Sequence, residues 1–217
     1  MEMIEVDGLR IAYQRAGAGP PLVLLHGYVG DGPTTWRRQL ERLCDQFTVV
    51  AWDAPGAGGS ADPPESFGMA GYADCLAGFV DRLRLERPHV AGLSFGGALA
   101  LELYRRHSAI PMTLILASAY AGWGGSLPAD VAQQPLQQAL VLAKLSPDEF
   151  VGRLLPTMFS QATPPEAVMR SARVCWGSTR PASGPWRGRP PRTCATCCLT
   201  STSRRCWCTA TRTCGHP

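Results

Sequence analysis

Gly92-Leu93-Ser94-Phe95-Gly96 decides how the rest of this chain is read. The pentapeptide follows a buried-strand pattern, His89 to Leu93, and precedes an apolar helical pattern, Ala98 to Tyr104. In that setting a Gly-x-Ser-x-Gly run puts a serine on a tight strand-to-helix turn. The turn strains the serine backbone, and the small residues Gly92 and Gly96 let strand and helix approach closely. The hydroxyl of Ser94 then points away from the sheet, as a nucleophile must. A glycine-rich turn that merely packs a helix on a sheet is the competing reading, and the strand before and helix after weigh against it.

Working outward, the chain alternates strand and helix patterns. Met3 to Val6 and Leu9 to Tyr13 read as strands around an Asp7-Gly8 hairpin turn. Pro21 to Leu25 and Phe47 to Trp52 are continuous apolar runs of the kind a fully buried strand shows. Thr34 or Thr35 is positioned to cap a helix through Leu43, and Met69 to Leu85 carries Tyr72, Leu76, Phe79, Val80 and Leu83 at helical spacing. Met112 to Ala117 is a further strand. The alternation predicts an α/β fold: a mostly parallel sheet with helices on both faces and an antiparallel hairpin at its edge. Ligands of such sheets bind beyond the carboxyl ends of the strands, where His26, Asp53, Ser94 and Ser118 all fall.

Bulk properties exclude several classes. The chain has 217 residues and a net charge of +4, which gives no argument for nucleic acid. It holds no apolar run long enough for a transmembrane helix, so no membrane partner is expected. The start, Met1 to Glu5, is acidic and lacks a signal-peptide pattern, so a cytoplasmic location is expected. Oligomeric state is not legible.

Acyl transfer at a serine needs donors for the developing oxyanion as well as an activated hydroxyl. The amide of Phe95 is one such donor, and the amide of Tyr28 is assigned as the second, with Gly27 letting that backbone approach a substrate. His26 is expected to hold the turn through loop backbone rather than to transfer protons. Three stretches together, His26 to Gly30, Trp52 to Ser60 and Gly92 to Gly97, resemble the α/β-hydrolases of the cofactor-free serine type, near the esterases and the 3-oxoadipate enol-lactonase-like group. The resemblance covers about residues 1 to 170. It implies a three-layer sandwich with a helical lid, no cofactor, and hydrolysis of a small ester or lactone through an acyl-enzyme on Ser94. It also implies that Asp53 shapes its loop rather than joining the triad. Serine at 94 argues against the dehalogenases and epoxide hydrolases, which use aspartate there. An inactive binding protein, or C–C bond hydrolysis or perhydrolysis on the same scaffold, are the alternatives.

The expected organisation is a core over 1–118, a helical lid over 119–172 and an anomalous tail over 173–217. The lid stretch is punctuated by prolines, with short helices expected at Val131 to Lys144, Pro147 to Leu155 and Pro165 to Arg170; Tyr120, Trp123, Leu140 and Phe159 are its candidate contacts. From Ser178 onward Leu199 is the one aliphatic residue larger than alanine, and Cys194, Cys197, Cys198, Cys206, Cys208 and Cys214 crowd together. No carboxylate follows Glu166, and His216 is the one later histidine, so the acid and base that should follow the lid are missing. Zinc ligation by these cysteines is disfavoured by the Cys206-x-Cys208 spacing, and no metal is expected. A reading-frame shift between about Val168 and Ser178 explains the tail. One base earlier, Cys197-Cys198 and Cys206-Trp207 each become Leu and Trp207-Cys208 becomes Val. The free third bases permit a segment running Ala-Leu-Leu-Val-His-Gly-Asp-Ala-Asp. The expected fold is therefore an α/β-hydrolase lacking its last strands and helices, with impaired activity.

Overall fold

The computed structural model describes residues 1–64 and 66–119, together with 141, 145, 149, 152, 153, 157, 163 and 166. The opening hairpin is built as its sequence requires. Asp7 and Gly8 take φ of 48° and 82°, the left-handed pair that a two-residue turn needs between twisted strands. They join β1 (Glu2–Val6) to β2 (Leu9–Ala16) in antiparallel register, Val6 opposite Leu9 and Glu2 opposite Tyr13. β3 (Pro21–Leu25), β4 (Thr48–Trp52), β5 (His89–Leu93) and β6 (Thr113–Ala117) complete a six-stranded sheet ordered β1-β2-β4-β3-β5-β6. β4, β3, β5 and β6 run parallel, and β2 meets β4 antiparallel.

The helices are α1 (Gly32–Thr35), α2 (Arg37–Leu43), α3 (Gly68–Arg82) and α4 (Phe95–Arg106). Alternation along the strands sorts side chains into two cores. One joins Val23, Leu25, Val50, Trp52 and Val90 to Tyr72, Leu76, Phe79, Leu99 and Leu103 of α3 and α4. The other joins Leu22, Leu24, Val49, Ala51 and Ala91 to Leu40 of α2, with Trp36 and Leu43 packed against it. The sheet is thus the middle of three layers, as the alternating pattern predicts.

Two helix boundaries differ from the sequence expectation. The helix expected from Thr34 to Leu43 is two pieces broken at Trp36, and its cap is Asp31, whose side chain accepts from the Thr34 amide at 2.7 Å. Pro33 in the first turn donates no amide, so the orphan donors there suit a cap two residues ahead of it. α3 stops at Arg82 rather than Leu85, because Arg84 takes φ of 52° and turns the chain toward β5. The expected lid contacts Tyr120, Trp123, Leu140 and Phe159, and the tail beyond 173, lie outside the described residues. Within the expected lid, Val141, Glu149, Gly152, Arg153, Thr157 and Glu166 are helical. No helix among the described residues is long and apolar enough to cross a membrane.

Candidate active site

The strand order creates a site before any side chain is considered. From β3 the chain moves outward to β4, and from β5 it moves outward to β6 on the opposite side. The connections diverge between adjacent strands β3 and β5, leaving a crevice at their carboxyl ends. The two turns that open into it are His26-Gly27-Tyr28 and Leu93-Ser94-Phe95.

Ser94 stands at the junction of β5 and α4 with φ of 50° and ψ of −110°, a strained region for a residue with a side chain. Neighbours over-determine that conformation. The Ser94 amide donates to the Ala117 carbonyl at the end of β6 (2.9 Å), and its carbonyl accepts from Ala98 (3.0 Å). Side chains at the flanking glycines are impossible: a Cβ on Gly92 would strike the Gly96 carbonyl, and one on Gly96 would strike the carbonyls of Leu25 and His26. The second collision also shows how close the start of α4 lies to the end of β3. The Ser94 residue is half-buried, neither sealed in the core nor free in solvent.

Phe95 opens α4, so its amide is among the first-turn donors that lack an intrahelical acceptor. The positive end of the helix dipole lies at the same point, favouring developing negative charge there. Across the crevice Gly27 is buried against Leu93, with the Leu93 carbonyl 3.6 Å from where its Cβ would be, and half-buried Tyr28 follows it.

His26 and Asp53 tie the β3 and β4 loops to each other in both directions. His26 closes β3 and is 1% exposed. Its Nε2 accepts from the Ala54 amide of the β4 loop at 3.1 Å, so its Nδ1–H donates to the Gly27 carbonyl at 2.8 Å. Only the neutral ring can do both, and burial accordingly pushes its pKa below the usual 6.5. Asp53 closes β4 and is fully buried. Its Oδ1 accepts from the Gly32 amide of the β3 loop (2.9 Å) and its Oδ2 from the Gly59 amide (2.8 Å). Burial pushes its pKa up to about 6 against the opposing pull of those two amides. Ser60 secures the same loop, donating to the Asp53 carbonyl (2.7 Å) and accepting from the Ala12 amide (2.9 Å). Asp31 and Ser60 were not singled out in the sequence; Asp31 ahead of Gly32-Pro33 was a readable cap, whereas nothing local marks Ser60 as a bridge to β2.

The structure therefore brings together Ser94, Phe95, Gly96, His26, Gly27 and Tyr28, with Asp53 behind them. Among the described residues no cluster of three metal-capable side chains occurs. A serine held at the carboxyl edge of a mostly parallel sheet, on a strand-to-helix turn, defines a class of folds. The model of the alpha/beta hydrolase family matches residues 22–210. The chain belongs to that family. It is similar to an uncharacterised protein of Mycobacterium tuberculosis, 37% identical over 114 residues, which are 52% of this chain and 33% of that protein. The chain thus spans about a third of the length of that relative. Among solved structures, a thermophilic esterase of Thermogutta terrifontis superposes with a TM-score of 0.73 at 23% identity, covering 93% of this chain and 73% of the other. Est816, an N-acyl homoserine lactone degrading enzyme, superposes with a TM-score of 0.65 at 26% identity, covering 82% and 67%.

Proposed function

We propose that this scaffold hydrolyses a small carboxylic ester or lactone through an acyl-enzyme on Ser94. The observation that carries the reading is the backbone of Ser94: a left-handed φ at a β5–α4 junction whose two glycines admit no side chain. Strain of that kind persists where function selects it. In the reaction, the Ser94 oxygen attacks the substrate carbonyl carbon while a general base takes its proton. The amides of Phe95 and Tyr28 hold the carbonyl oxygen as it becomes an oxyanion, the interaction that usually contributes most to such catalysis. His26 does not serve as the base, because both ring nitrogens are engaged with backbone in the core. The likeness to Est816 supports a lactone or ester among the substrates.

The chain as written holds no carboxylate after Glu166 and one histidine, His216, after the lid stretch. A serine deprived of its base keeps the oxyanion hole and binding alone, about 10³–10⁴-fold over water, and kcat falls by about 10⁶. The second reading is an inactive binding protein on the same scaffold. A fluorophosphonate probe separates the two. We expect labelling at Ser94 that vanishes in Ser94→Ala, slow in this chain and fast once the missing base is supplied. A protein with base and acid restored that stays unlabelled would overturn the hydrolase reading.

A further inference from the structure

Tyr72 of α3 is fully buried, and both of its ends are engaged. Its hydroxyl donates to the Pro55 carbonyl of the β4 loop at 3.2 Å. Its ring meets Phe95 edge to face, with centroids 5.7 Å apart and planes at 87°. Phe67 packs against the same ring in the same manner, at 5.1 Å and 80°. Gly71 makes room for that contact, since a Cβ there would lie 2.9 Å from the Phe67 ring. Glycine inside a helix costs stability, and here the space it leaves is taken by a ring. The hydroxyl also satisfies a buried turn. The Ala54 amide donates to His26 Nε2, and the Ala54 carbonyl accepts from Ala57 at 2.8 Å. Pro55 has no amide, and it is buried, so its carbonyl needs a donor from elsewhere. Tyr72 is that donor.

The same turn reaches the crevice through His26, whose Nδ1–H donates to the Gly27 carbonyl. That carbonyl and the Tyr28 amide belong to one peptide unit, planar and trans. The bond that fixes the carbonyl therefore fixes the direction of the amide. A continuous path runs from the Tyr28 amide through His26, Ala54 and Pro55 to the Tyr72 hydroxyl, and from the Tyr72 ring to Phe95. Its ends are the two amides assigned to the oxyanion. They follow different strands, β3 and β5, so no local turn geometry sets their spacing.

We propose that Tyr72 is a positioning residue for the oxyanion site: with its hydroxyl on the β4 loop and its ring on Phe95, it holds the Tyr28 and Phe95 amides at a fixed spacing. This role presupposes the serine hydrolase reading, which assigns those amides to the oxyanion. Fully buried, Tyr72 reaches no substrate, and its effect is alignment. Displacing an oxyanion donor by about an ångström is enough to slow such a reaction on the order of a hundredfold.

Two measurements test it in the full chain. Fluorophosphonate labelling of Ser94 is followed over a range of probe concentrations in the parent, Tyr72→Phe, Tyr72→Leu and Phe79→Leu. Phe79 is a buried ring of the same helix that packs on Tyr13 and Trp52, and it serves as the control for lost packing. The maximal labelling rate should fall about fivefold in Tyr72→Phe and on the order of a hundredfold in Tyr72→Leu, with half-saturation within about twofold of the parent. Phe79→Leu should keep the parental rate at temperatures where it is folded. Parental rates in both Tyr72 variants, or equal losses in Tyr72→Leu and Phe79→Leu, would overturn the proposal. The second readout needs no chemistry. Amide hydrogen exchange at Ala54 should quicken about fivefold in Tyr72→Phe, with Val50 in the middle of β4 unchanged. Equal exchange at Ala54 in variant and parent would sink the brace, and this holds even where Tyr72→Leu does not fold. A parent chain unlabelled at Ser94 would remove the hydrolase reading alone, and the Ala54 exchange would then decide whether Tyr72 ties the β4 loop.

Discussion

β4 and β6 are five-residue apolar strands of one sheet with opposite surroundings. Every residue of Thr48–Trp52 is buried, between β2 and β3 and under helices on both faces. In Thr113–Ala117 no residue is fully buried. Composition is nearly the same, so burial is conferred by neighbours and not by the strand. Among the described residues β6 has β5 as its one strand neighbour, and its apolar side chains are exposed accordingly.

Paired substitutions put the largest number on that contrast. Val50→Asp should unfold the protein, since an unpaired carboxylate would enter a core position that is 0% exposed, at a cost of at least about 4 kcal/mol. Ile115→Asp should change stability in this chain by no more than about 0.5 kcal/mol, as an exposed site allows. Urea melts of the two variants would break the comparison if they shifted by similar amounts.

The loops at the strand ends come next. Asp53→Ala leaves the Gly32 and Gly59 amides without their acceptor, which should cost about 1–3 kcal/mol each if both stay buried. The two buried titrating groups lean opposite ways with pH. His26 has its pKa lowered from 6.5, so the unfolded chain takes up the proton first and stability is lost as pH falls below 6.5. Asp53 has its pKa raised from 3.8 to about 6, so the folded protein takes up the proton first and stability is gained as pH falls through that window. In Asp53→Asn the second contribution disappears, and the thermal midpoint should drop more steeply between pH 6 and 4 than in the parent; an unchanged slope would refute the assignment.

The smallest effect belongs to the surface. Asp74 of α3 takes a bidentate contact from Arg106 (2.9 and 2.6 Å) and one from His107 (2.7 Å) at the end of α4. Burial alone would raise the Asp74 pKa, but the hydrogen bonds from Arg106 and His107 outweigh it and hold the carboxyl below its usual value. Its contribution is present above 3.8 and lost as pH falls through the lowered value. With these side chains a third to a half exposed, Asp74→Asn should cost at most about 1 kcal/mol, and less in high salt.

Much of this fold was legible because period and burial coincide. The runs at Pro21 and Thr48 have no polar face, so they read as strands covered on both sides. The serine turn was legible because glycine at 92 and 96 answers a steric demand that the structure shows directly. The break at Trp36 was not, because the helical spacing of Leu40 and Leu43 continues across it and only the Asp31 cap betrays an earlier start. The reciprocal tie between His26 and Asp53 was hidden for a different reason. It consists of side-chain bonds to backbone amides 21 and 28 residues away, and no local pattern encodes such partners.

One bond links the exposed edge to the chemistry. The Ser94 amide is moored to the carbonyl of Ala117, the last residue of β6. Among the described residues β6 is an edge strand; when an edge strand frays its end opens first, and here that opening would release one tether of a serine kept in an uncomfortable conformation. Ser94 would then relax toward ordinary backbone geometry for a fraction of the time, and the orientation of its hydroxyl would follow the strand's opening equilibrium. What happens at the end of β6 can thus be felt as alignment at the Ser94 hydroxyl.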